Sequence, residues 1–213
     1  MNPREQILAD VRLALGRAMN APVAPIPSSA RIAARAPGNA NAEIEMLLGE
    51  INKLGGNASR IARADVRSSL EKIVRDEQVK KATLWDTPDL QELGVADILR
   101  ELGIELTSPR ADKRALAECD LGITSADFAF PETGTLVLRS SPQKPRAVSL
   151  LPRIHLAIIA PTILRADLVP AFEELNGEGY WVFVTGPSRT ADIELTVTIG
   201  VHGPKALYVW MMG

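Results

Sequence analysis

Three nearly continuous apolar runs crowd the C-terminal half of the chain: residues 154–160 (IHLAIIA), 180–185 (YWVFVT) and 206–212 (ALYVWMM). A strand with one face in water alternates apolar and polar residues, so unbroken apolarity implies burial on both faces, as at the centre of an α/β sheet. All three runs are therefore expected to be core strands. Upstream, helical and strand patterns alternate. Ile44, Leu47, Leu48, Ile51 and Leu54 share one helical face, which Gly55 and Gly56 close. A short strand is expected near residues 59–62, followed by a helix beginning at Asp65 with the stripe Val66, Leu70, Ile73 and Val74. Residues 81–86 read as a strand. Pro88 opens a helix that buries Leu90, Leu93, Ile98, Leu99 and Leu102, and residues 104–108 form the next strand. Leu168, Phe172 and Leu175 mark a later helix, with Asp167 and Pro170 at its start. The alternation predicts an α/β fold with a mostly parallel sheet flanked by helices.

A chain of 213 residues, 46% hydrophobic, suffices for one full core and is short for two. Residues 1–41 read as an N-terminal arm. Ile7, Leu8, Val11 and Leu15 give an amphipathic helix, and a Pro/Ala-rich linker with Pro22, Pro25, Pro27 and Pro37 follows it. That helix docks either on its own body or on a neighbouring subunit. Residues 42–213 form the α/β domain.

The formal charge of -2 supplies no general attraction for nucleic acid or an anionic membrane. Arg4, Glu5, Asp10 and Arg12 interrupt the first helix, so it lacks the apolar core of a signal peptide. No run approaches the roughly 20 apolar residues of a membrane span. A cytoplasmic protein without membrane insertion is expected. Cys119 is the only cysteine, and one thiol cannot form an internal disulfide or hold an iron–sulfur cluster. With His155 and His202 as the only histidines, no metal site of the chain's own is expected.

Two segments are too rich in polar and turn-forming residues to be plain connections. In the first, residues 122–138 (GITSADFAFPETGTLVL), Pro131, Glu132, Thr133 and Gly134 join two apolar stretches. A hairpin is expected there, projecting Glu132 and the hydroxyls of Thr133 and Thr135. Glu132 is equally readable as a solvated turn residue. Asp127 interrupts the apolar pattern and should be either partnered or open to a cleft. The second segment, residues 186–194 (GPSRTADIE), follows the run 180–185. A strand leading into a helix at this point would create an anion site from Gly186, Ser188, Thr190 and the guanidinium of Arg189. The same residues suit an ordinary helix start, with Ser188 or Thr190 as cap and Asp192 and Glu194 in the first turn. His202, between Gly200 and Pro204, could be aimed at the same cleft as a proton carrier or hydrogen-bond donor, and is also readable as an ordinary turn residue. His155, inside an apolar run, reads as a satisfied core histidine, and Cys119 as packing.

The segments GITSADFAFPETGTLVL, LPRIHLAIIA, GPSRTADIE and GVHGPKALYVWMM together resemble the lactate-utilisation (LUD) domain family. In pattern the match runs from Ala42 to the end. The resemblance implies a fold akin to the ribose-phosphate isomerase, CoA-transferase and formyltetrahydrofolate cyclo-ligase superfamily. It also implies a part in oxidising L-lactate to pyruvate beside two partner proteins that carry the iron–sulfur clusters. By match to the family's motifs, Thr124, Asp127, Glu132, Thr133, Gly134 and Thr135 form one side of the expected site. Gly186, Ser188, Arg189, Thr190, Asp192, Glu194 and His202 form the other. Ser125 and Pro131 depart from the family's usual small residues. Of these, Glu132, Asp127 and His202 are the candidates for chemistry, and the rest for holding a small anionic ligand.

Two other functions fit the same residues. Glu132 could act as a nucleophile toward acyl-CoA or serve a phosphate ligand, as the superfamily permits, or the arm could dock partners in a non-catalytic assembly protein. The leading expectation, a lactate-oxidising subunit, requires one cavity walled by Glu132 and Arg189.

Overall fold

A computed structural model describes residues 2–16, 34–174, 179–190 and 197–213. The chain divides into two compact units, residues 1–33 and 34–213. In the first, helix α1 (Pro3–Ala14) is closed at its start by a capping box: Asn2 accepts from the Arg4 amide, and Glu5 reaches back to the Asn2 amide. Ile7, Val11 and Leu15, four residues apart, are all exposed on it.

In the second unit, helix α2 (Ala40–Lys53) starts at Asn39, whose side chain accepts from the Ala42 amide, and buries Ile44, Leu47, Leu48 and Ile51. The chain then runs through β1 (Asn57–Ile61), α3 (Val66–Asp76), β2 (Lys81–Leu84), α4 (Pro88–Glu92), α5 (Val95–Glu101), β3 (Glu105–Thr107), α6 (Lys113–Ala117) and β4 (Leu121–Thr124). A hairpin of β5 (Phe128–Phe130) and β6 (Thr135–Arg139) follows, then α7 (Ala147–Leu150), β7 (Ile154–Ile159) and α8 (Leu168–Glu174). The last strands are β8 (Trp181–Val184), β9 (Arg189–Thr190), β10 (Thr198–Ile199) and β11 (Ala206–Met212). Gly94 interrupts the helix expected after Pro88, making α4 and α5 out of one predicted element. Leu175, expected in α8, lies outside the described residues.

Six strands form a parallel sheet in the order β1-β11-β7-β4-β2-β3, so the α/β architecture with a mostly parallel sheet stands. Its centre, β7, is buried at all six positions, and each enclosed Leu or Ile contributes about 1.5–3 kcal/mol. Helix α7 lies so close to β4 that a Cβ on Gly122 would sit 1.9 Å from the Val148 carbonyl. Only glycine fits beneath that turn.

One expected core strand does not join this sheet. β8 is the edge of a separate antiparallel sheet, β5-β6-β8. Tyr180 and Phe183 are 67% and 44% exposed, so the run 180–185 is not buried on both faces. Its apolarity serves partial packing instead: Trp181 stacks on Phe128 and Phe183 on Phe172 of α8. Among the described residues, no helix is long and apolar enough to cross a membrane.

Candidate functional site

The hairpin β5–β6 turns through a single 3-10 turn at Pro131–Thr133, which leaves the Glu132 side chain exposed. Gly134 closes the turn in the left-handed region, at φ 61°. A Cβ there would lie 2.9 Å from the Ile51 amide nitrogen, so the turn is pressed against α2. Thr133 donates to Thr135 at 2.8 Å, and Thr135 shares a 2.8 Å hydrogen bond with Thr185 at the end of β8. Arg35 lies 3.7 Å from Glu132 while its guanidinium binds both oxygens of the buried Glu43. That pairing, with a hydrogen bond from the Gly38 amide, holds the Glu43 carboxyl down at about 2.

Beyond Thr185 the structure departs from the expected helix start. Arg189 and Thr190 form the short strand β9, paired antiparallel with β10 so that Arg189 faces Ile199 and Thr190 faces Thr198. Ser188 is fixed by two backbone bonds, its N–H to Pro204 O and its O from Gly200 N–H. The loop carrying His202 therefore wraps Ser188, while His202 itself is exposed. Arg189 is exposed too, its guanidinium donating to the Thr185 carbonyl at 3.4 Å.

The single cavity expected between Glu132 and Arg189 is two adjoining hollows. One, of about 350 Å³, is lined by Gly186, Ser188 and Arg189 together with His155 and Leu207. The other, of about 430 Å³, is lined by Glu132, Thr133, Thr135 and Asp167. Phe183 and Thr185 belong to both and form the wall between them. The first hollow also lies at the amino ends of the parallel strands, since His155 and Leu207 are the second residues of β7 and β11. The carboxyl-end rule for open parallel sheets does not govern it, because β8 belongs to the antiparallel layer.

Other candidates fall apart from these hollows. Asp127 sits in a third recess with Arg139 and Lys144, its carboxylate accepting from Lys144 Nζ and the Arg139 amide, each at 2.7 Å. Thr124 is fully buried. Thr190 and His202 line neither hollow. Asp192 and Glu194 lie outside the described residues. No three His, Cys, Asp or Glu side chains converge as a metal site among the described residues.

Sequence reasoning read His155 as a satisfied core histidine and left it out of the site. It is buried, its Nε2 lies 2.8 Å from the Thr124 hydroxyl, and it lines the Arg189 hollow. Burial pushes its pKa down to about 4, so the imidazole is neutral at physiological pH. The available signal was a histidine in a strand otherwise wholly apolar.

The profile of the LUD domain matches residues 44–212. "Lactate utilization protein C" of Shouchella clausii is 35% identical over 161 residues, covering 70% of each chain. The protein of the same description from Geobacillus sp. is 28% identical over 184 residues, covering 78% of this chain and 76% of its own. Among solved structures, a DUF162 family protein from Deinococcus radiodurans aligns with a TM-score of 0.62 at 17% identity. That alignment covers 83% of this chain and 100% of the other, a likeness of fold.

Proposed function

Because the chain belongs to the LUD domain family, we propose that it serves in lactate utilisation, as a subunit of a cytoplasmic system that oxidises L-lactate to pyruvate. The relatives described as lactate utilization protein C support the general role. Oxidising lactate removes two electrons and two protons. As the family resemblance implies, the electrons pass to iron–sulfur partner proteins, a reading compatible with a chain whose one cysteine is buried.

The observation that carries the site is the adjacency of the two hollows across Phe183 and Thr185. Arg189 presents a cation to one and Glu132 a carboxylate to the other. A small anionic ligand is held at the arginine side, where a planar guanidinium grips a carboxylate through two parallel hydrogen bonds. Ser188, Gly186, Thr133 and Thr135 shape the surrounding walls. Exposed apolar groups lining the hollows, Leu168 and Phe183, with Phe172 stacked on Phe183, suit contact with a partner subunit.

Growth on L-lactate tests this reading, in a host whose own copy is deleted and replaced by the Arg189→Ala, Glu132→Ala double variant. Lost growth with protein at normal abundance is the expected result. Normal growth would remove these loops from the function. Copurification of iron–sulfur proteins with the wild-type chain tests the partner assignment separately.

A further inference from the structure

His155 is the only polar residue in β7 and is 1% exposed. Its Nε2 is held by Thr124, but its Nδ1 is buried and has no hydrogen-bond partner among the described residues. Native interiors rarely leave such a nitrogen alone, and His155 is among the residues that line the Arg189 hollow. Two observations of different kinds thus meet at one place: a half-satisfied buried imidazole and a formed cavity.

Among the described residues, Arg189 is the one ionic side chain that lines the hollow, and no carboxylate does. Because the imidazole stays neutral, it adds a hydrogen-bonding group and no second charge. Leu150, Val182, Phe183 and Leu207 supply an apolar wall. A volume of 350 Å³ equals about a dozen water volumes at ~30 Å³ each. A three-carbon acid fills only part of that space.

We infer that this hollow binds an organic monocarboxylate with an apolar body larger than a three-carbon acid, its carboxylate held between Arg189 and the Nδ1–H of His155. Such a contact requires the tautomer in which Thr124 donates its hydroxyl proton to Nε2 and the ring proton sits on Nδ1. The apolar body packs against Leu150, Val182, Phe183 and Leu207. The inference rests on the reading that the arginine side takes an anion, and it specifies which kind.

The test is titration of the full chain with phenylpyruvate, hexanoate, pyruvate, L-lactate and inorganic phosphate. Calorimetry is read alongside nuclear magnetic resonance of the isotopically labelled histidine rings. Only two histidines contribute signals, and His202→Ala assigns them. Expected are a shift of the His155 nitrogens with phenylpyruvate or hexanoate and affinity at least about tenfold tighter than for pyruvate or L-lactate. Arg189→Ala, at an exposed position, should weaken that binding by about tenfold or more. His155→Phe should do the same if it folds, and the wild-type resonance carries the test if it does not. Stationary His155 signals with every probe, tighter binding of phosphate, or equal binding of the three-carbon acids would each overturn the assignment. Growth on lactate is not a readout here, so a negative titration leaves the role in lactate utilisation to its own test.

Discussion

The hydroxyls of Thr135 and Thr185 lie 2.8 Å apart, and this bond ties the Glu132 hairpin to the strand that leads to Arg189. Thr133 donates to the same Thr135 oxygen, so one hydroxyl joins Thr133 to Thr185. The relay crosses the wall between the two hollows. Thr135→Val keeps the shape, removes the central link and leaves two hydroxyls that water can reach. Urea unfolding should show a loss of about 0.5–1.5 kcal/mol. A loss below the detection limit would mean that the relay does not hold the hairpin in place.

Stability should fall in two separate steps as pH drops. His155 titrates near 6.5 when unfolded and near 4 when folded, so the unfolded chain binds the extra proton between those values. Its contribution is complete above pH 6.5 and is lost as pH falls toward 4, to the extent of roughly 3 kcal/mol. Glu43 works lower, from 4.5 unfolded to about 2 folded, and its contribution disappears across that window. Denaturation followed against pH should give a slope in the upper window that His155→Gln removes. Glu43→Gln should leave that slope intact and cost about 1–3 kcal/mol at neutral pH, by unpairing Arg35.

Gly134→Ala tests how firmly the hairpin turn is pressed on α2. The left-handed backbone alone costs an L-residue about 1–2 kcal/mol, and forcing a methyl group toward Ile51 adds about 1–3 kcal/mol. Thermal unfolding should register the sum as a clear drop in Tm. An unchanged Tm would show that the turn yields and that the Glu132 position is loosely held.

The central sheet was legible because burial on both faces writes itself into β7 and β11 as unbroken apolarity. The same pattern misassigned β8. Apolar residues there stack on Phe172 and Phe128 at the edge of a small antiparallel layer, and composition does not distinguish that from a core strand. Arg189 was placed at a helix start because Ser-Arg-Thr-Ala-Asp suits helix caps. Its actual pairing is with Ile199, ten positions along, a contact that local propensity does not encode. His155 was hidden by its neighbours: inside IHLAIIA it reads as a satisfied core histidine, and only the sheet register and the hollow beside it show a ring with one nitrogen engaged and one without a partner among the described residues.

The two acidic residues of the hairpin segment should separate cleanly in their effects. Asp127 is half-buried and accepts from both Lys144 and the Arg139 amide, so it latches the open end of the hairpin to the loop that follows β6. Glu132, at the other end, is 65% exposed and among the described residues has only the loose ion pair with Arg35. An exposed pair of that kind contributes about 0–1 kcal/mol. Asp127→Asn should therefore lower unfolding free energy by about 1–3 kcal/mol, whatever it does to growth on lactate. Glu132→Gln should leave unfolding unchanged within about 0.5 kcal/mol while slowing lactate-dependent growth. If Glu132→Gln destabilised the fold as much as Asp127→Asn, its exposed carboxylate would be a structural group, and the case for it in the site would fall.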